Sequence, residues 1–230
     1  MRPVSKGADR GVFNPYNDAQ KPLIEQLGEY CSYCERLVPC GIHVEHKLPK
    51  GEYPEHKFKW NNFLLGCVNC NSAKGGERIN LADYIWPDSD NTLRAFSYGC
   101  EGRVFPIDGF SNVIDIKIKN TWILLGLNRH PDPTIEGFAK PAEKDRRWLH
   151  RKQEWEIACE NKAKLFNNDT SVLREILVER ATAKGMFSIW FTVFFDDVDM
   201  KERLVRAFNN TDISSFGVDY SLVRRPNGQI

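Results

Sequence analysis
The chain has 230 residues, 41% hydrophobic and 27% charged, with a formal net charge of +1. That length predicts one to two domains, and the composition suits a globular protein with a sizeable core. Near-neutral charge excludes a uniformly basic nucleic-acid coat, so any polyanion site is a local patch or is shared with a partner.

Residues 1–27 read as an N-terminal segment and the start of a first helix. They contain no apolar signal-like stretch. The longest nearly apolar run, MFSIWFTVFF at 186–195, is about half of what a bilayer span needs. The expectation is a cytoplasmic protein in a reducing compartment, where seven cysteines do not build a disulfide framework.

Two Cys-x-x-Cys pairs follow, CSYC (Cys31, Cys34) and CVNC (Cys67, Cys70). Each pair presents two thiolates from one knuckle, and two knuckles complete a four-thiolate structural zinc site. A redox reading needs one pair and leaves the other unexplained, and a third reading makes all four ordinary buried thiols. Cys40, Cys100 and Cys159 stand alone as core or surface thiols, with Cys40 near enough to compete as a ligand. Between the pairs, GIHVEHKLP reads as a short strand, GEYPEHKFK as a loop, and WNNFLLGC as a second strand. CNSAKGGERINLADYIW starts a helix that Asn71 or Ser72 caps and that Gly75 and Gly76 can stop early.

The chemistry concentrates in this window. Glu45 and His46 are adjacent at a strand end, where twist lets both serve one cleft. A carboxylate and an amide oxygen (Glu45, Asn71) are hard ligands that suit Mg²⁺ or Mn²⁺. A neutral imidazole is a general base for water. Together they describe a one-metal phosphodiesterase.

VEHKLPK followed by NNFLLGCVNCNSAKG resembles the HNH endonucleases with their ββα-metal finger, over about residues 28–80. The resemblance implies His46 as general base, Glu45 and Asn71 as ligands of the catalytic cation, and Asn62 as the residue that holds the base and its loop. Asn71 stands where the family usually has histidine, which bears on metal preference. With its flanks (MRPVSKG, YCSYCE and the late MFSIWFTVFFDDVDMKERLVRAFNNT), the chain resembles the HNH subunit of Septu-type anti-phage systems (PtuB-like), also found with retrons. That resemblance implies phage defence with a PtuA-like ATPase subunit of the SMC/ABC type, and it leaves room for self-association.

Other basic and imidazole groups are weaker candidates. His43 shares a strand face with Glu45 and is either a further ligand or a polar strand residue. His56 reads as solvated, His130 as a turn residue and His150 as part of a charged helix. Lys47, Lys50, Lys57 and Lys59 suit phosphates or a solvated face equally. Lys74, on the helix after the knuckle, is a better phosphate candidate because a helix N-terminus attracts anions.

Downstream, VIDIKIK at 113–119 alternates like a strand, and TWILLGL looks like a helix start. PAEKDRRWLHRKQEWEIACENKAKLF, from Pro141 to about Phe166, has mostly helical spacing. Its start is the sharpest basic patch, with Arg146, Arg147 and Arg151 beside Trp148: either a nucleic-acid track or a solvated face with Trp148 in the core. SVLREILVERA and DMKERLVRAF are amphipathic helices, and MFSIWFTVFF is a buried helix or a partner surface. The expected fold is α+β, with a zinc-stabilised nuclease module at 28–80 and a mostly helical region at 81–230. The expected function is metal-dependent hydrolysis of nucleic acid, DNA first and structured RNA such as tRNA as the alternative. A non-cleaving zinc-finger binding module is the competing class, and it has no need for a base beside a metal ligand.

Overall fold
The gap between the two cysteine pairs is filled by an antiparallel hairpin and a short helix. The computed structural model describes residues 1–230. Helix α1 (Gln20–Leu27) precedes strands β1 (Ile42–His46) and β2 (Phe63–Cys67), which pair from Ile42 opposite Cys67 to His46 opposite Phe63. Ile42 and Val44 turn into the core while His43 between them is exposed, the period-two pattern of a strand. β2 is buried along its whole length, with α1 packed against it.

Helix α2 (Val68–Lys74) begins directly at the end of β2. This corrects the expected cap at Asn71 or Ser72: Cys67 is the residue before the first turn, so Cys70 and Asn71 lie inside the helix. The knuckle itself turns the chain from strand to helix. Gly75 stops the helix at φ +68°, a conformation open to glycine without penalty.

A second hairpin, β3 (Phe96–Tyr98) with β4 (Val104–Pro106), leads to α3 (Asn112–Leu124). The strand expected at 113–119 is therefore a helix. The Ser111 hydroxyl accepts from the Ile114 N–H and caps it. Over a longer window the apolar stripe is Ile114, Ile118, Trp122 and Leu125, a helical repeat; Val113, Ile116 and Ile123 face outward. Seven residues are too few to separate the two periods when both faces carry β-branched side chains.

Four helices complete the chain: α4 (Arg147–Asn167), α5 (Ser171–Lys184), α6 (Phe187–Val193) and α7 (Val198–Ala207). Thr170 caps α5 and Asp197 caps α7 through side-chain oxygens. α4 begins at Arg147, after the predicted Pro141. Within the apolar run, Phe187–Val193 form α6 and pack into a core built from α4 to α7, where Trp190 and Phe194 stack, while Phe195 at its end is exposed. A separate core joins the β1–β2 hairpin to Ile85, Trp86, Phe96, Ile118 and Trp122, so residues well beyond 80 pack with it. The architecture is mixed α+β with two two-stranded sheets. No helix is long and apolar enough to cross a membrane.

The two cores meet at the first knuckle. Glu35, next to Cys34, accepts from the N–H (2.9 Å) and hydroxyl (2.6 Å) of Ser188 at the start of α6. Its carbonyl accepts from Met186 N–H at 2.9 Å. Gly185 passes so close that a Cβ there would lie 2.2 Å from that carbonyl oxygen. A cysteine knuckle is thereby keyed to the helical core.

Candidate functional site
Cys31, Cys34, Cys67 and Cys70 are buried, with all four Sγ atoms within 4.8 Å of one another. Cys34 and Cys67 Sγ are 3.7 Å apart, close to the edge of about 3.8 Å for a tetrahedron with zinc–sulfur bonds of about 2.3 Å. Burial pushes the Cys31 thiol well above its ordinary range, so four thiolates need a cation among them. Four thiolates with one zinc ion leave a double negative charge, and two arginines face it. Arg36 donates to Cys67 Sγ at 3.4 Å, and Arg147 donates to Cys70 Sγ at 3.2 Å. The Cys67 N–H also points at Cys31 Sγ, at 3.4 Å. The donor set fits a structural zinc ion. Cys40, Cys100 and Cys159 are exposed, so Cys40 does not compete as a buried ligand.

On the other side of the hairpin, Glu45, His46 and Asn71 line one cavity of about 510 Å³ together with His43, Lys50, Lys74 and Tyr16. Gly66 is the reason Glu45 fits: a Cβ there would lie 2.9 Å from Glu45 Cβ. The Glu45 carboxyl is buried, which raises its pKa, against the pull of Lys74. Lys74 Nζ lies 3.1 Å from Glu45 Oε1 as an ion pair, and no other group donates to that buried oxygen. A buried carboxylate whose one close partner is a lysine, with an amide lining the same cavity, is a hard oxygen set that fits a divalent cation.

His46 is held by three contacts. Its Nε2 is 2.9 Å from the Lys57 carbonyl, which only accepts, so Nε2 carries the proton and Nδ1 is the free base. Tyr16 (4.8 Å) and Phe63 (5.1 Å) meet the ring edge-on. Burial lowers the His46 pKa, so the imidazole is neutral near pH 7. Asn62 is buried and does not line the cavity. Its Oδ1 accepts from Leu48 N–H at 2.7 Å, and its Nδ2 donates to the Leu48 and His56 carbonyls at 3.0 and 3.2 Å. The amide thus ties the residues after His46 to the start of β2.

The predicted nucleic-acid contacts need correction. Lys74 is the last residue of α2, 6% exposed and paired with Glu45, so it does not sit at the helix N-terminus and its charge is already engaged at the cavity wall. Arg147 (2% exposed) is enclosed by Asp145, Cys70 and the carbonyls of Leu125 and Gly126. Arg151 (3% exposed) donates to the Gly102 carbonyl at 2.8 Å. Of that basic patch, Arg146 stays exposed. Lys47 is also buried: with Lys6 it meets one oxygen of Asp88, at 2.7 and 2.9 Å. The sequence reading missed Arg36 and Asp145. Their partners are distant in sequence or lie inside what read as a charged surface run, so no local pattern marks them.

The fold and site define a mixed α+β protein with a four-cysteine centre able to hold zinc and a polar cavity on the adjoining hairpin and helix. No family model matches the chain. It is similar to the Septu protein PtuB of Bacillus thuringiensis, 34% identical over 113 residues. The match spans 46% of this chain and 40% of that protein, less than half of each.

Proposed function
We propose that the chain is a metal-dependent HNH-type endonuclease, with residues 28–80 as its nuclease module, acting as the nuclease component of a Septu-like anti-phage system. The observation that carries this reading is one cavity lined by an imidazole with a free Nδ1, a buried carboxylate and an amide. His46 Nδ1 takes one proton of a water whose oxygen bonds to phosphorus, one P–O ester bond breaks, and the departing alkoxide oxygen takes a proton from solvent water. Lys57 and Asn62 keep the ring and its loop in that orientation. Glu45 and Asn71 would hold a Mg²⁺ or Mn²⁺ ion, which when bound offsets negative charge on the phosphoryl group. The similarity to a Septu protein supports the defence role and a PtuA-like ATPase partner of the SMC/ABC type. DNA is the proposed substrate.

The test is cleavage of plasmid DNA and of total tRNA, with the ATPase present and across a Mg²⁺ and Mn²⁺ titration. His46→Ala is expected to lose about 10²–10⁴-fold in rate with fold and zinc content kept, and no added metal restores it. Glu45→Ala and Asn71→Ala are expected to regain part of their activity at high metal, and His43→Ala to be mild. Equal cutting by His46→Ala and wild type refutes the assignment. Cutting of tRNA alone moves the substrate to RNA, and no cutting by any variant favours a binding module.

A further inference from the structure
With Lys47, Lys74, Arg147 and Arg151 committed to buried partners, the question becomes which group meets the charge of a polyanion at the cavity. Among the cavity's lining residues Glu45 is the one carboxylate, and Lys74 already neutralises it. Lys50 is the second cation of the lining and has no acidic partner. It is exposed, and its Nζ donates to the Tyr16 hydroxyl at 2.7 Å while lying 4.4 Å from the centre of that ring. Tyr16 in turn meets the His46 ring at 4.8 Å, so one aromatic side chain links the free ammonium to the proposed base. The charge of Lys50 is felt by both Glu45 and His46.

An ammonium has three donors, and this one has two still unused. A lysine on a flexible stem loses rotamer freedom when it binds an anion, and the contact with Tyr16 removes part of that cost beforehand. The wall that does this comes from residues before the nuclease-like module: Tyr16, Asn17 and Gln20 line the same cavity.

We infer that Lys50, steadied by Tyr16, binds a backbone phosphate of the nucleic acid at the mouth of this cavity. The inference rests on the proposed phosphodiesterase reading and adds to it the residue that engages the substrate's charge.

The experiment measures affinity for a fluorescein-labelled DNA duplex as a function of salt, without added divalent cation so that nothing is cut. Each phosphate neutralised contributes about 0.9 to the slope of log K against log salt. Lys50→Gln is expected to reduce the slope by about that amount, and Lys50→Arg to retain it. Tyr16→Phe keeps the charge and the ring but loses the hydroxyl. It is expected to weaken binding about two- to threefold at an unchanged slope, by loss of pre-organisation. The same preparations are then given Mg²⁺ and the ATPase partner and assayed for cleavage. A Lys50→Gln slope equal to wild type overturns the inference; if wild type still cuts, the phosphodiesterase reading survives. A wild-type protein that does not bind the duplex overturns the inference as well. Reduced slope in Lys50→Gln without any cleavage by wild type upholds the contact and overturns the catalytic reading.

Discussion

Arg147 separates the surface reading of the basic run from the buried one, and substituting methionine tests them against each other. As a surface contact, Arg147→Met would weaken nucleic-acid binding and leave stability within about 0.5 kcal/mol. The structure leads to the opposite expectation. The guanidinium meets both oxygens of Asp145, at 2.8 and 2.7 Å, and donates to Cys70 Sγ and to the Leu125 and Gly126 carbonyls. The Asp145 side chain is 5% exposed. Removing Arg147 leaves the buried Asp145 carboxylate with Arg129 alone, 3.5 Å away and partly exposed, so the loss sits near the low end of about 3–5 kcal/mol. The two carbonyls and the sulfur lose donors as well, but these penalties overlap, so we expect about 4 kcal/mol in total. Urea suits the assay because it does not screen charge. With an m-value of about 3 kcal/mol per M for a chain of this size, the midpoint falls by about 1.3 M. Arg147→Met combined with Asp145→Leu should recover part of the loss, since no charge is then stranded. An Arg147→Met midpoint within about 0.3 M of wild type, together with weakened nucleic-acid binding, would refute this reasoning.

Two further outcomes follow from the buried polar groups. Elemental analysis should find one zinc per chain, and Cys34→Ser should give unfolded or insoluble protein, because a structural zinc contributes on the order of 10 kcal/mol of folding free energy; well-folded, zinc-free wild-type protein would contradict this. Asp88 sets an acid limit on stability: burial works to raise its pKa, but Lys47 and Lys6 outweigh it and hold the carboxyl below its ordinary range. A depressed folded-state pKa gives stability that is complete above the unfolded value of about 3.9 and is lost as pH falls below it. Thermal melts from pH 6 down to 2 should therefore show a shallower acid decline in Asp88→Asn than in wild type, from a lower starting stability; parallel curves would remove Asp88 as the source.

The local order of the finger was legible in the chain. Strand, loop, strand and helix between two Cys-x-x-Cys pairs follow from short-range rules: β-branched alternation at Ile42 and Val44, glycine and proline in the loop, and a glycine stop at Gly75. The four cysteines cluster as the zinc reading of their two Cys-x-x-Cys spacings expected. Glu45, His46 and Asn71 were singled out by residue type and order, and they do line one cavity. The helix at 112–124 was not legible from seven residues, because apolar side chains on both its faces imitate alternation until Leu125 and Trp122 are included.

Tertiary structure decided which charges are free. Lys74, Arg147 and Arg151 look like surface cations in the sequence, since a charged run is usually solvated. Their partners are Glu45, Cys70 and the Gly102 carbonyl, each brought close by packing across sequence distances that no local pattern encodes. Long-range packing also brought Tyr16 against His46, and placed Lys50 at the cavity mouth without an acidic partner. Residue type, spacing and periodicity determine which groups can do chemistry and which segments carry them. Which of those groups keeps its charge for a ligand depends on burial and on pairing between distant segments, and these exist only once the chain has closed on itself.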